Sequence, residues 1–269
     1  MNIILIAIVI VLSQSLPMQP DFILERHDDL MDFPSSPLKA VYGLPFTGTQ
    51  IPGAELDNPE EPEELLDEPV EEPPQEIPTF FGKPAGGKIV LVLDRSGSMG
   101  IQDNTSAIED NNGNTITNPT RMQILKVEAI SLLSKLSEND WFAIVSFGYP
   151  TLTAYQNLVQ ATPPNVAAGI ATINALIVNG GTPAHIALKT GCQKYGSALD
   201  HLFFVCDGYP SGDQSSPGPP VILVEFPIWF APLKVSGCQF TCIHIGGDVY
   251  STQFMTQLAN SVDGDYIKR

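Results

Sequence analysis

Basic residues are scarce in this 269-residue chain: 13 lysines and arginines stand against 30 aspartates and glutamates, a net charge of −17. That balance argues against general nucleic-acid binding, which needs clustered lysine and arginine on phosphate. It also disfavours an anionic membrane surface. Long apolar runs are missing too. The N-terminal run from Ile3 to Leu12 is ten residues, where a bilayer span takes roughly 18 or more. Cysteine is limited to Cys192, Cys206, Cys238 and Cys242, with no C-x₂-C pair and no nearby histidine pair, so a zinc site is not expected. What is plentiful is apolar residues, 43% of the chain against 16% charged, which reads as mostly globular. The length allows one or two domains and a well-buried core.

The acidity is uneven. Residues 1–87 hold 16 acids and 3 bases, whereas residues 88–269 hold 14 and 10. In residues 57–78, DNPEEPEELLDEPVEEPPQEIP, ten of 22 residues are acidic, six are proline and none is basic. Like charges repel and proline removes donors, so an extended acidic linker is expected over 57–79. Before it, residues 1–15 read as a signal peptide, with small Ser13 and Ser15 at the spacing of a cut before Leu16, although no lysine or arginine precedes the apolar run. A buried N-terminal strand or helix and an uncleaved anchor are the alternatives. Residues 16–56 have no assigned fold. Export implies a secreted or surface-associated protein, the alternative being a cytoplasmic one.

From Lys88 onward, strands and helices alternate. Lys88–Leu93, Trp141–Phe147, Leu202–Cys206 and Phe240–Ile245 are short apolar runs of the kind buried on both faces of a parallel sheet. Leu152–Val159 reads as an edge strand and Asp265–Ile267 as a last short one. Arg121–Leu136, Asn165–Ile177, Pro183–Tyr195 and Thr252–Ser261 have helical spacing. Val221–Leu233 should be a helix kinked or broken at Pro227; it is apolar nearly all round, so a cover is expected, with residues 16–54 as the candidate. The alternation predicts an α/β, doubly wound, mostly parallel sheet with helices on both faces.

Ligands of such sheets bind outside the carboxyl ends of the strands. There the first strand runs into Asp94-Arg95-Ser96-Gly97-Ser98-Met99, a later loop is Asn179-Gly180-Gly181-Thr182, and a third strand ends in Asp207-Gly208. Two carboxylates and three hydroxyls form a hard oxygen set of the kind Mg²⁺ prefers. Gly97 suits a tight turn, and Gly180-Gly181 can supply a positive φ before Thr182.

These residues resemble the metal-ion-dependent adhesion site of the von Willebrand factor type A (vWA) domain family, over residues 86–269. The resemblance implies a six-stranded Rossmann-like sheet and assigns metal binding to Asp94, Ser96, Ser98, Thr182 and Asp207. It implies Mg²⁺, with Mn²⁺ or Ca²⁺ as alternatives, and a protein partner whose acidic side chain completes the shell. Arg95, Gly181, His185 and Gly208 are the candidate partner-binding residues beside it. Two departures stand out. Residues 100–120 intervene before the first helix, with an Asn112-Gly113 hairpin turn expected beside the metal and a sequon at Asn104-Thr105-Ser106. The sequence also stops after its last strand, without the family's C-terminal helix, which puts helix-driven switching in doubt.

Enzyme signatures are weak. Gly97-Ser98-Met99-Gly100 is not a G-x-S-x-G elbow, there is no Walker loop, and Ser96 stands where an aspartyl-phosphate site has a second acid. A metal-dependent protein-binding module is therefore the expectation. An intracellular or virion-associated assembly subunit and, with less support, a metal-dependent hydrolase are the alternatives. The cysteines are expected as core thiols, with a Cys238–Cys242 or Cys206–Cys242 bridge left open, and His244 as a core histidine.

Overall fold

The computed structural model describes residues 77–104, 107–148, 151–210 and 217–269. The expected signal peptide, residues 16–56 and nearly all of the acidic linker lie outside the described residues, as do Thr105 and Ser106 of the sequon. The chain divides at Asp67 into two units, and the described residues belong to the second.

That unit begins before residue 86. A small antiparallel hairpin, β1 (Thr79–Phe80) and β2 (Lys83–Pro84), takes up the end of the expected linker and seats Phe80 in the core. Strand β3 (Lys88–Asp94) then leads through a 3₁₀ turn, Gly97–Gly100, to a second hairpin of β4 (Ile108–Glu109) and β5 (Thr115–Ile116). Helix α1 (Arg121–Lys135) follows, opened by a Thr120–Gln123 capping box. Next come β6 (Trp141–Gly148), β7 (Thr151–Ala154), β8 (Val159–Gln160), α2 (Pro163–Asn174) and α3 (Ala184–Gln193). The chain continues through β9 (His201–Cys206), α4 (Pro219–Val235), β10 (Gln239–His244), α5 (Val249–Asn260) and β11 (Asp265–Lys268).

The main sheet has the order β11-β10-β9-β3-β6-β7, with β8 also paired to β6. The pairs among β11, β10, β9, β3 and β6 are parallel. Both β7 and β8 run antiparallel to β6, on its end and its beginning respectively. The single edge strand expected over Leu152–Val159 is thus two short pieces, and the expected six-stranded sheet has six positions filled by seven strands.

Side-chain alternation splits the core into two layers. Val90, Val92, Val145, Phe147, Leu202 and Phe204 face α3, α4 and α5. Ile89, Leu91, Leu93, Phe142, Ile144 and Phe203 face α1, α2 and Phe80 of the first hairpin. Helices therefore cover both faces, as the doubly wound pattern requires.

Helix α4 corrects the expected break. It runs through Pro227 and Pro232 without interruption, and two prolines also occupy its first turn, where the missing N–H groups cost nothing. An interior proline costs about 3 kcal/mol. Against that, Ile222, Phe226, Trp229, Phe230 and Leu233 are buried in one layer, each worth about 1.5–3 kcal/mol, so burial wins. On its outer face Val224 and Ile228 are each 67% exposed. The expected cover, residues 16–54, lies outside the described residues.

Candidate metal site

The chain order makes β3 the centre of the sheet. From β3 the chain moves to β6 on one side, while β9 and β10 lie on the other. The crevice between β3 and β9 is therefore the topological switch point, where ligands of such sheets bind. Asp94 ends β3 and Asp207 directly follows β9, so each flanks that crevice. Neither carboxylate is exposed to solvent.

A continuous set of polar contacts joins them. The Ser96 N–H donates to Asp94 Oδ1 at 2.6 Å. Ser96 Oγ lies 3.1 Å from Ser98 Oγ, and Ser98 Oγ donates to Asp207 Oδ1 at 2.8 Å. The second loop is tied to the first by Gly97 N–H donating to Gly180 C=O at 2.8 Å, and Gly180 takes a φ of +66°. Thr182 is buried. The Ser98 and Thr182 hydroxyls both approach Gly208, where an added Cβ would lie 3.7 and 4.0 Å from them. The three loops thus bring Asp94, Ser96, Ser98, Thr182, Asp207 and Gly208 together, with Gly181 in the backbone between Gly180 and Thr182.

Two other expected residues turn elsewhere. Arg95 directs Nη1 to the Ile177 C=O at 3.3 Å, toward the loop that leads to α3. His185 faces α4, with Nε2 2.8 Å from Glu225 Oε2 and its ring 4.9 Å from that of Trp229. It lies in the first turn of α3 and is largely turned from solvent, its side chain 14% exposed. The hairpin of β4 and β5 also lies away from the cluster: Asn111 Nδ2 donates to the Val127 C=O of α1. Val127 is about 9 Å along the helix from Arg121 at a rise of 1.5 Å per residue. His244 is the expected core histidine, with no exposed surface, although it ends its strand and does not sit in the middle.

Three residues enter that sequence reasoning missed. Cys206 donates its S–H to Asp94 Oδ2 at 3.0 Å, so this core thiol is also a hydrogen-bond donor to the cluster. Arg121 Nη1 binds Asp207 Oδ2 at 2.8 Å, with the Arg121 side chain 16% exposed. Gly246 packs on that guanidinium, since an added Cβ would sit within 2.4 Å of Arg121 Nε. The one local oddity at Arg121 is a cation at the first position of a helix, against the macrodipole and with no acidic residue in the first turn of α1; it marks the residue as unusual without naming its partner.

The electrostatics are those of crowded anions. Burial, and next the Asp207 charge, push the Asp94 carboxyl up from 3.8 to about 7. Two shielded carboxylates beside three hydroxyls suit a hard divalent cation, which would relieve their repulsion. Among the described residues, no group of three or more His, Cys, Asp or Glu side chains is arranged around a metal position. An ion held here would have to draw its remaining protein donors from the serine and threonine hydroxyls. No helix among the described residues is long and apolar enough to cross a membrane.

A doubly wound sheet with this loop cluster at its switch point defines an α/β, Rossmann-like fold. Among solved structures it is similar to a von Willebrand factor type A protein from Catenulispora acidiphila, with a TM-score of 0.50 and 20% identity. That match covers 70% of this chain and 39% of the other. The pilus adhesin SpaC from Lactobacillus rhamnosus GG gives a TM-score of 0.49 at 17% identity, over 68% of this chain and 28% of that one. Proximal thread matrix protein 1 from the mussel byssus, solved with a zinc-occupied MIDAS motif, gives 0.45 at 16%, over 68% and 42%. The chain spans less than half the length of each. No family model matches the sequence, and no curated protein matches it. The fold is that of a vWA domain.

Proposed function

We propose that this chain is a non-enzymatic protein-binding module that holds a divalent cation, Mg²⁺ by donor chemistry, and through it a carboxylate of a partner protein. The observation that carries this reading is the pair of fully buried carboxylates, Asp94 and Asp207, bridged by the Ser96 and Ser98 hydroxyls at the switch point. Asp94, Ser96, Ser98, Thr182 and Asp207 would hold the ion, and Gly181 and Gly208 would line the approach. The bound ion supplies positive charge and an open coordination position for an outside oxygen ligand. The chain's residues do the rest: Cys206 and the Ser96 N–H orient Asp94, and Ser98 orients Asp207. Export of the chain, with its acidic linker as a spacer, belongs to the same proposal and predicts a mature N-terminus at Leu16.

Calorimetric titration of Mg²⁺ into the full chain tests the reading, with Asp94→Ala as control and Mn²⁺, Ca²⁺ and Zn²⁺ as comparison ions. Saturable heat in the wild type and none in the variant is the expected result. A wild type that takes up none of the four ions overturns the metal reading.

A further inference from the structure

The proposed cation site contains a cation of its own. Arg121 Nη1 sits 2.8 Å from Asp207 Oδ2, with Asp207 fully buried and Arg121 mostly so. The other oxygen of that carboxylate accepts from Ser98, so Arg121 and the first loop hold Asp207 from two sides. The arginine is itself fixed at two further points. Its backbone N–H donates to the Ile101 C=O at 3.1 Å, just beyond the first metal loop. Its guanidinium lies against Gly246, where any side chain would strike it. Its position is the first residue of α1, where the helix dipole disfavours positive charge. Its Nε is buried and has no hydrogen-bond partner among the described residues. An arginine placed against the dipole with a donor unpaired is a costly arrangement for a purely structural pin, and what it delivers is charge at Asp207.

We propose that Arg121 is a built-in counter-cation that sets how tightly the site holds a divalent ion. This rests on the reading of the cluster as a cation site. By neutralising Asp207, the guanidinium keeps two buried carboxylates tolerable side by side, and it competes with a divalent ion for the same charge. Arginine stays protonated at every accessible pH, so this restraint is constant and does not act as a pH switch. A fixed unit charge beside a divalent ion is worth about tenfold in affinity under water-like screening, and more in a partly screened site.

The test is Mg²⁺ calorimetry on the full chain carrying Arg121→Gln or Arg121→Lys, together with the ¹⁵Nε–H resonance of Arg121 in the wild type. The inference expects the Gln variant to bind Mg²⁺ at least about tenfold more tightly and the Lys variant, which keeps the charge, to stay near the wild type. It expects the Arg121 resonance to move as Mg²⁺ saturates. Equal or weaker binding by Arg121→Gln overturns it, because a residue that merely orients Asp207 loses affinity when removed. If the Gln variant does not fold, the wild-type resonance decides, and a resonance unmoved at saturating Mg²⁺ overturns the inference. Absence of Mg²⁺ binding in both the wild type and a folded Gln variant is a different failure, that of the metal reading itself.

Discussion

Two buried titratable residues at the carboxyl edge of the sheet pull stability in opposite directions with pH. The Asp94 carboxyl is pushed up from 3.8 to about 7, by burial first and the Asp207 charge second. Between those values the folded state holds more protons than the unfolded chain. The stability this group contributes is therefore present at low pH and lost as pH rises through about 7. His244 is pushed down from 6.5 to about 4, by burial first and Lys268 second. The unfolded chain takes up that proton before the folded one does, so the His244 contribution is present above pH 6.5 and lost toward pH 4. Melting temperatures recorded without divalent ions should separate the two. In Asp94→Asn the melting temperature should rise with pH across this window, because the two imidazoles pushed down by burial, His244 and His201, are left without the opposing carboxyl. In His244→Gln it should fall, because the large Asp94 shift then outweighs the remaining depressed imidazole, His201, which burial also pushes down. Parallel profiles for the two variants would contradict both assignments.

At the scale of elements, local pattern and tertiary packing compete, and their magnitudes decide. Helix α4 carries Pro232 on its exposed side, where the ring contributes no burial. Pro232→Ala should stabilise the protein by about 1–3 kcal/mol, read as a higher midpoint in urea, because an interior proline costs about 3 kcal/mol relative to alanine. Gly191 of α3 predicts the opposite sign. Alanine is the better helix former by about 1 kcal/mol, yet its Cβ would lie 2.9 Å from Val92 Cγ2 and 3.1 Å from Leu202 Cδ1, where helix meets sheet. Overpacking of this kind costs about 1–3 kcal/mol, so Gly191→Ala should lower the urea midpoint. The same competition shows what the sequence made legible. The apolar spacing of α1 and the runs of β3, β6, β9 and β10 are local signals, as is the D-x-S-x-S of the first loop. The Arg121–Asp207 pair spans 86 residues and the His185–Glu225 pair spans 40. Neither partner can be read from its own neighbourhood. The facing of His185 depends on where α4 packs, and the continuity of α4 depends on which of its faces is buried.

Over the whole molecule, the cysteines offer a probe that joins folding to the site. All four are free and buried, so neither of the bridges left open by the sequence forms. They are spread over α3, β9, the turn before β10 and β10 itself. Burial pushes all four thiols up, Cys238 to about 12, so in the folded state they are poor nucleophiles as well as inaccessible. A reducing agent should leave the melting temperature unchanged, and a thiol reagent should titrate all four only as the unit opens. Cys206 extends the argument, because its S–H donates to Asp94. An ion that binds the folded state alone suppresses opening in proportion to its saturation, about 100-fold at 100 times its dissociation constant. Where reclosing outruns labelling, Mg²⁺ should therefore slow the modification of Cys206 and of distant Cys192 by the same factor. Slowing confined to Cys206 would mean that the edge of the sheet opens separately from the rest. Equal slowing at both thiols would mean that the loops of the site and the two-layered core form one cooperative unit, and that an ion held by five side chains stabilises the whole of it.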